Sequence, residues 1–182
     1  MKRRYFLPLA GAALLAGCGF QLRKAPDFAF NAIVLNAPDS SPLAAELRRS
    51  LTSDGKVQVL SAASVATPAG GAASGPATAA PGQVIFDLLQ EQREKVVVGL
   101  NSTGQVTEFQ LRSRVRFRVR NASGQDLVPD TELEQHRDIS FNESAVLAKE
   151  AEESLLYRDM QSDMVQQLMR RLAAIRTTQP AA

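Results

Sequence analysis

The sequence predicts an α+β fold, in which two helices cover one face of a mostly antiparallel sheet within a single domain. Three observations predict it. From Val84 to Phe141 apolar and polar residues alternate, the period of strands with one face packed and one face wet. Leu43 to Leu51 and Leu155 to Ile175 instead repeat their apolar residues at helical spacing. The order strand, helix, strand, loop, long strands, helix is that of helices layered on a sheet.

Ala32-Ile33-Val34-Leu35 reads as a short buried strand. Ser41 at an N-cap and Pro42 at the first helical position start a helix, because the serine oxygen can accept an otherwise orphaned N–H and proline has none to lose. Leu43, Leu47 and Leu51 stack on one side of it, Glu46, Arg48 and Arg49 turn outward, and Gly55 closes it. Val57 to Leu60 reads as a second short strand. The run from Ser61 to Gly82 consists of Ala, Gly, Ser, Thr and Pro with few sizeable apolar side chains; it cannot bury enough surface to offset ordering and is predicted to be a low-complexity surface loop.

Val84, Phe86 and Leu88 then face one way with Asp87 opposite, Glu91, Arg93 and Lys95 alternate, and Asn101-Ser102-Thr103-Gly104 turns the chain. The returning strand places Phe109, Leu111, Ser113, Val115, Phe117 and Val119 on one face and Gln110, Arg112, Arg114, Arg116, Arg118 and Arg120 on the other. After Ser123-Gly124, a further strand is predicted over Leu133 to Phe141, with Glu132, Glu134, His136 and Asp138 on its polar side. Asn142 or Ser144 can cap the last helix. Its stripe is Leu155, Leu156, Met160, Met164, Val165, Leu168, Leu172 and Ile175, and an irregular first turn or a break is expected before Glu152.

Lys2, Arg3 and Arg4, an uncharged apolar run from Tyr5 to Leu15, and small residues before Cys18 form an export signal, too short for a spanning helix. Leu15-Ala16-Gly17-Cys18 resembles the lipobox of bacterial lipoproteins. That resemblance implies cleavage before Cys18, a diacylglycerol on its sulfur and an acyl chain on its amine; no other cofactor is expected. Each buried CH₂ contributes about 0.8 kcal/mol, so several chains hold a protein to a bilayer. Gly19, where an inner-membrane lipoprotein carries aspartate, points to the outer membrane. Removal of the three basic residues of the signal takes the net charge of the 182-residue chain from +2 to −1, so any basic feature must be local. The expected divisions are a signal peptide at 1–17, a lipidated tether at 18–30, the α+β domain at 31–176 with the 61–82 insertion, and a flexible tail at 177–182.

Arg112, Arg114, Arg116, Arg118 and Arg120 recur at every second position and so span about 26 Å along one strand. Two readings of this ladder stand. Guanidinium forks could grip a polyanion or an acidic protein surface; alternatively Asp87, Glu91, Glu132, Glu134 and Asp138 pair with it and leave a solvated face. Nucleic acid is not expected as a partner of an exported chain. The residues do not suggest an enzyme: His136 is the only histidine, there is no glycine-rich phosphate loop before a helix, and no histidines and carboxylates stand at metal spacing. Met160, Met164 and Met169 read as core.

Cys18-Gly19-Phe20-Gln21-Leu22-Arg23, the strand and Pro-Leu helix from Ile33 to Leu51, and above all AVLAKEAEESLLYRDM…QQLMRRL resemble the lipopolysaccharide-assembly lipoprotein family LptE. The resemblance implies two helices packed on one face of a four-stranded, mostly antiparallel mixed sheet. It implies an outer-membrane lipoprotein, not an enzyme, that plugs the lumen of the β-barrel LptD and helps lipopolysaccharide reach the outer leaflet. Basic residues of the family meet lipopolysaccharide phosphates, and one such position falls on Lys149. A second, near the hairpin turn, has no charged counterpart in Leu100-Asn101-Ser102, and the Arg112 to Arg120 ladder is a candidate substitute. The alternative is an envelope lipoprotein that docks on and regulates a cell-wall synthase.

Overall fold

A computed structural model describes residues 27–53, 55–61 and 82–175. The signal peptide, Cys18, most of the tether, the interior of the 61–82 segment and the C-terminal tail lie outside the described residues.

The sheet has five strands where four were expected. They are β1 (Ala32–Asn36), β2 (Gln58–Ser61), β3 (Gln83–Leu100), β4 (Val106–Asn121) and β5 (Asp126–Ser140), in the order β2-β1-β3-β4-β5. β1 runs parallel to both β2 and β3, while β3, β4 and β5 form an antiparallel meander. The fifth strand is β2. Four residues long, it adds a second parallel pairing, at the edge next to β1, to a sheet that the parallel β1–β3 pair already makes mixed.

Helix α1 (Pro42–Ser53) begins as its residues dictate. The Ala44 N–H donates to Ser41 Oγ at 3.0 Å, and the same hydroxyl donates to a carboxylate oxygen of Glu91 on β3, so one side chain caps the helix and ties it to the sheet. Gly55, at φ 65°, ends the segment with its N–H on the Thr52 carbonyl at 3.1 Å. Leu43, Leu47 and Leu51 are fully buried, one turn apart.

The last helix, α2 (Val146–Ala174), follows a 3₁₀ turn over Glu143–Ala145, where Asn142 accepts from the Ser144 N–H at 3.0 Å. The irregular first turn is present; the break before Glu152 is not, and 29 residues run on continuously. Met160, Met164, Val165, Leu168, Met169 and Leu172 are buried, but Leu155 turns outward and is 53% exposed. Leu156, one residue further round the helix, takes the inward position beside Met160. No described helix is long and apolar enough to cross a membrane.

The core is unevenly spread. Around β1, α1, the first residues of β3, the last of β4 and the C-terminal half of α2 lies one large cluster that includes Ile33, Leu35, Leu47, Phe86, Phe117 and Leu168. Phe86 and Phe117 stack at 5.5 Å across the β3–β4 pair. Toward the β3–β4 turn only Leu111, Ile139 and Met160 form a small satellite, with Phe109, Leu156 and Tyr157 partly buried against it.

Candidate functional site

Two surfaces hold the residues singled out from the sequence: the sheet face away from the helices, and a cleft where the far end of the sheet meets the start of α2.

On the open face the alternation of β4 is realised, since Leu111, Ser113, Val115, Phe117 and Val119 are buried and the five arginines point the other way. The ladder is largely paired. Arg114 Nε donates to Glu134 at 2.9 Å, and Glu94 lies 3.6 Å from its Nη1. Arg116 bonds Asp130, a residue absent from the expected set of partners, which also omitted Glu94. The side chains of Arg118 and Arg120 converge on Asp87 at 3.3 and 2.8 Å, and Asn36 donates to it at 2.8 Å. Arg112 alone has no carboxylate within ion-pair distance among the described residues; its Nε donates to Gln110 at 2.7 Å, and His136 stands opposite it on β5. Glu91, expected among the partners, lies on the helix side instead, bonded to Ser41.

The register brings the two charge sets onto one face, with some pairs made directly across the strands, as Arg114 to Glu134 and Arg118 to Asp87, and others diagonally, as Arg114 to Glu94, Arg116 to Asp130 and Arg120 to Asp87. Carboxylates at alternate positions of β3 and β5 stand across from arginines at alternate positions of β4: Asp87 opposite Arg118, Glu94 opposite Arg112, Glu134 opposite Arg114 and Glu132 opposite Arg116. Asp87 is the distinctive member, only 3% exposed. Burial disfavours its charged form, yet the hydrogen bonds from Arg120 and Asn36 and the charges of Arg120 and Arg118 outweigh that cost and hold its carboxyl below the ordinary aspartate value.

The second surface contains Lys149. Its ammonium donates to Ser140 Oγ at 3.0 Å and to Glu152, one turn along α2, at 2.9 Å. It lines a cleft of about 60 Å³ with Lys95, Phe109, Phe141 and Glu153. Lys95 bonds Glu153 at 2.6 Å and sits 4.4 Å over the Phe109 ring, which meets Phe141 edge to face at 5.2 Å. The structure thus places Lys95 beside Lys149. The inward alternation of Glu91, Arg93 and Lys95 was the signal for it, because Lys95 shares the side of β3 that faces α2.

Val146, 40% exposed, also lines this cleft. Gly99 packs so closely on β4 that a Cβ would come within 2.8 Å of Glu108 Cβ and 2.9 Å of Thr107 Oγ1, and the Thr107 carbonyl accepts from the Phe141 N–H at 2.8 Å. These contacts bring Val98 and Leu100 to the same end of the molecule as Val146 and Leu147. Leu100 is 62% and Leu147 83% exposed, large values for apolar side chains. The arrangement offers two cations in one cleft whose lining also includes Phe109, Ile139, Phe141 and Val146. Among the described residues no group of three His, Cys, Asp or Glu could hold a metal ion.

Comparisons with known proteins agree with this architecture. Residues 29–172 match the family model described as LptE, lipopolysaccharide-assembly. The solution structure of lipoprotein B from Nitrosomonas europaea superposes with a TM-score of 0.66 at 29% identity, over 86% of this chain and 91% of that one. Rare lipoprotein B from Shewanella oneidensis shares the fold with a TM-score of 0.62 at 22% identity, over 79% of this chain and 95% of that one. A minor lipoprotein from Acinetobacter baumannii does so with 0.58 at 21%, over 85% and 100%. No curated protein matches.

Proposed function

The chain belongs to the LptE lipopolysaccharide-assembly family, and from that premise we propose that it is an outer-membrane lipoprotein, acylated on Cys18, that plugs the β-barrel LptD and helps lipopolysaccharide reach the outer leaflet. In this reading the cleft at Lys149 and Lys95 receives a phosphate of the lipopolysaccharide, and the exposed aliphatic side chains at the same end of the molecule, Val146, Leu147 and Leu100 among them, meet acyl chains. The arginine ladder has a lesser part in ligand contact, because four of its five members already hold carboxylates. The role requires shape and charge but no bond-making chemistry.

The observation that carries the reading is the family match over residues 29–172, joined to the position of Lys149 in a cleft with a second lysine. The lysines are paired, but such ion pairs near the surface contribute only about 0 to 1 kcal/mol, so a doubly charged phosphate can displace Glu152 or Glu153 at small cost. Detergent extraction of the native envelope tests the partner: the chain is expected to copurify with LptD, and recovery of the chain alone from intact outer membranes would overturn the plug. Lys149→Glu should then lower lipopolysaccharide binding by the purified protein while leaving its copurification with the barrel intact. Equal binding by the variant would remove Lys149 from the ligand site.

A further inference from the structure

β3 is far longer than its partner on one side. β1 pairs with it only from Gln83 to Asp87, after which β1 ends and the chain turns into α1. From Leu88 to Leu100, β3 has β4 on one side and, among the described residues, no strand on the other.

Which backbone groups this edge presents follows from the hydrogen-bond parity of antiparallel strands. The Thr107 carbonyl accepts from Phe141, so Thr107 turns its polar backbone toward β5; with the β4–β5 register unbroken to Phe117, every second residue of β4 does the same. The residues between them, Arg112, Arg114 and Arg116, therefore bond β3, through Glu94, Gln92 and Gln90. Glu91, Arg93 and Lys95 are left with their N–H and C=O groups aimed away from β4, toward the free edge.

The two edges of the meander are treated differently. β5 is the other long edge, and it carries Pro129 at a register shift between Val128 and Thr131, a device that disfavours strand addition. No proline interrupts β3. At the corner where β1 departs lies a groove of about 370 Å³, lined among others by Pro38, Pro42, Leu88, Leu89 and Arg93. A bulge between Leu88 and Gln90 leaves Leu89 unpaired and 45% exposed there. Arg93 contacts Gln161 at 2.7 Å and the Tyr157 ring but has no carboxylate partner among the described residues, unlike Lys95 two positions on.

We propose that the β3 edge around Glu91, Arg93 and Lys95 is an acceptor for an extended peptide segment of a partner protein, which adds a strand there, seats an apolar side chain in the groove over Leu89 and Pro42, and offers a carboxylate to Arg93. Main-chain hydrogen bonds supply the pairing, while the groove and Arg93 select the segment. The site touches the Lys149 cleft only at Lys95, whose side chain lines the cleft while its backbone lies on the edge, and it needs no lipopolysaccharide.

The full chain, used to select from a displayed library of random peptides, tests this. Recovered peptides should share an apolar residue and an aspartate or glutamate at a fixed spacing. In hydrogen exchange the amides of Glu91, Arg93 and Lys95 should exchange fast in the free protein and be slowed at least about tenfold by a saturating synthetic copy of a recovered peptide, with those of Gln90, Gln92 and Glu94 slow throughout. Arg93→Gln should weaken binding about tenfold, the loss of one charge-assisted contact, and Leu89→Asp should weaken it through the groove without touching the edge amides. Arg93→Pro, which removes an edge N–H but no β4 bond, should abolish it with the circular dichroism spectrum retained. The proposal is overturned if no peptide is recovered, if recovered peptides protect β5 or bind all three variants equally, or if the edge amides are already slow because the chain pairs with a second copy of itself.

Discussion

The two ends of the molecule are built on opposite principles. At the β1 end the sheet is sealed on its helix side by α1 and by the last turns of α2, and Ile33, Leu47, Val84, Phe86, Val119 and Leu168 are lost to solvent. At the β3–β4 turn end the same sheet meets the same helix mainly through polar reach: Lys95 to Glu153, Arg93 to Gln161, Arg137 to Asp163, and the Tyr157 hydroxyl to the Glu94 carbonyl at 2.7 Å. Aliphatic side chains that could have filled that interface instead face outward on the turn and on α2. Stability is therefore concentrated in one end, and the other is free to spend its apolar and cationic side chains on a ligand.

The largest expected effect belongs to the sealed end. Phe86→Ala removes one ring of the Phe86–Phe117 stack from a fully buried site, and such truncations cost about 3 to 5 kcal/mol. Met160→Ala in the small satellite cluster should cost less, about 2 kcal/mol, because the thin distal layer can relax around it. Urea denaturation of both variants measures the gap. Equal losses would show that the two ends share one core and would break the comparison.

Asp87→Asn probes the boundary between the ends and comes next. It leaves Arg118 and Arg120 facing each other without a shared anion, a loss of about 1 to 3 kcal/mol. Its pH dependence has a definite sign. The folded-state carboxyl is held below its unfolded value of about 3.9, so the stabilisation is fully present above that value and disappears as pH falls through the lower, folded-state one. Asp87→Asn should therefore lower stability at neutral pH and flatten the acid limb of the stability curve below about pH 4. An unchanged acid limb would take Asp87 out of the acid response.

Much of this architecture was legible in the residues, for reasons that differ by element. β4 was readable because strict alternation over its length admits one register and one buried face. α1 was readable because Ser41, Pro42 and three leucines one turn apart each specify the same helix. The place of β2 in the sheet was not, since four residues carry little periodicity and a parallel partner need not be adjacent in sequence. The beginning of β5 was hidden by Pro129, which an edge strand tolerates at a bulge. The cleft was half legible: the family motif marks Lys149, but Lys95 gains its meaning only when the far part of β3 turns its charged side under α2. Charges alternating with apolar residues look alike whether water or a polar helix face lies opposite, and only the packing tells which.

The open face supplies a smaller effect. Arg114→Gln with Arg116→Gln removes two exposed ladder members without placing new negative charge beside Glu94, Asp130 and Glu134. The thermal midpoint should move little, and lipopolysaccharide binding should fall less than in Lys149→Glu. A loss as large as that of Lys149→Glu would move the ligand site from the cleft to the sheet face.

The smallest change in stability is expected where the proposed effect on function is greatest. Lys95→Gln breaks an ion pair whose members both keep contact with water, worth at most about 1 kcal/mol, and retains most of the stem that covers Phe109. Folding should thus be almost unaffected. The cleft, however, passes from two cations against Glu150, Glu152 and Glu153 to one, and a phosphate that must displace a carboxylate would then meet a surplus of negative charge. Binding of lipopolysaccharide by Lys95→Gln, followed by fluorescence at two salt concentrations, should be weaker and less salt-dependent than in the parent chain. If binding is unchanged while the melting temperature drops by many degrees, Lys95 is a strut of the distal layer, and the division between a stabilising end and a binding end fails where it was expected to be sharpest.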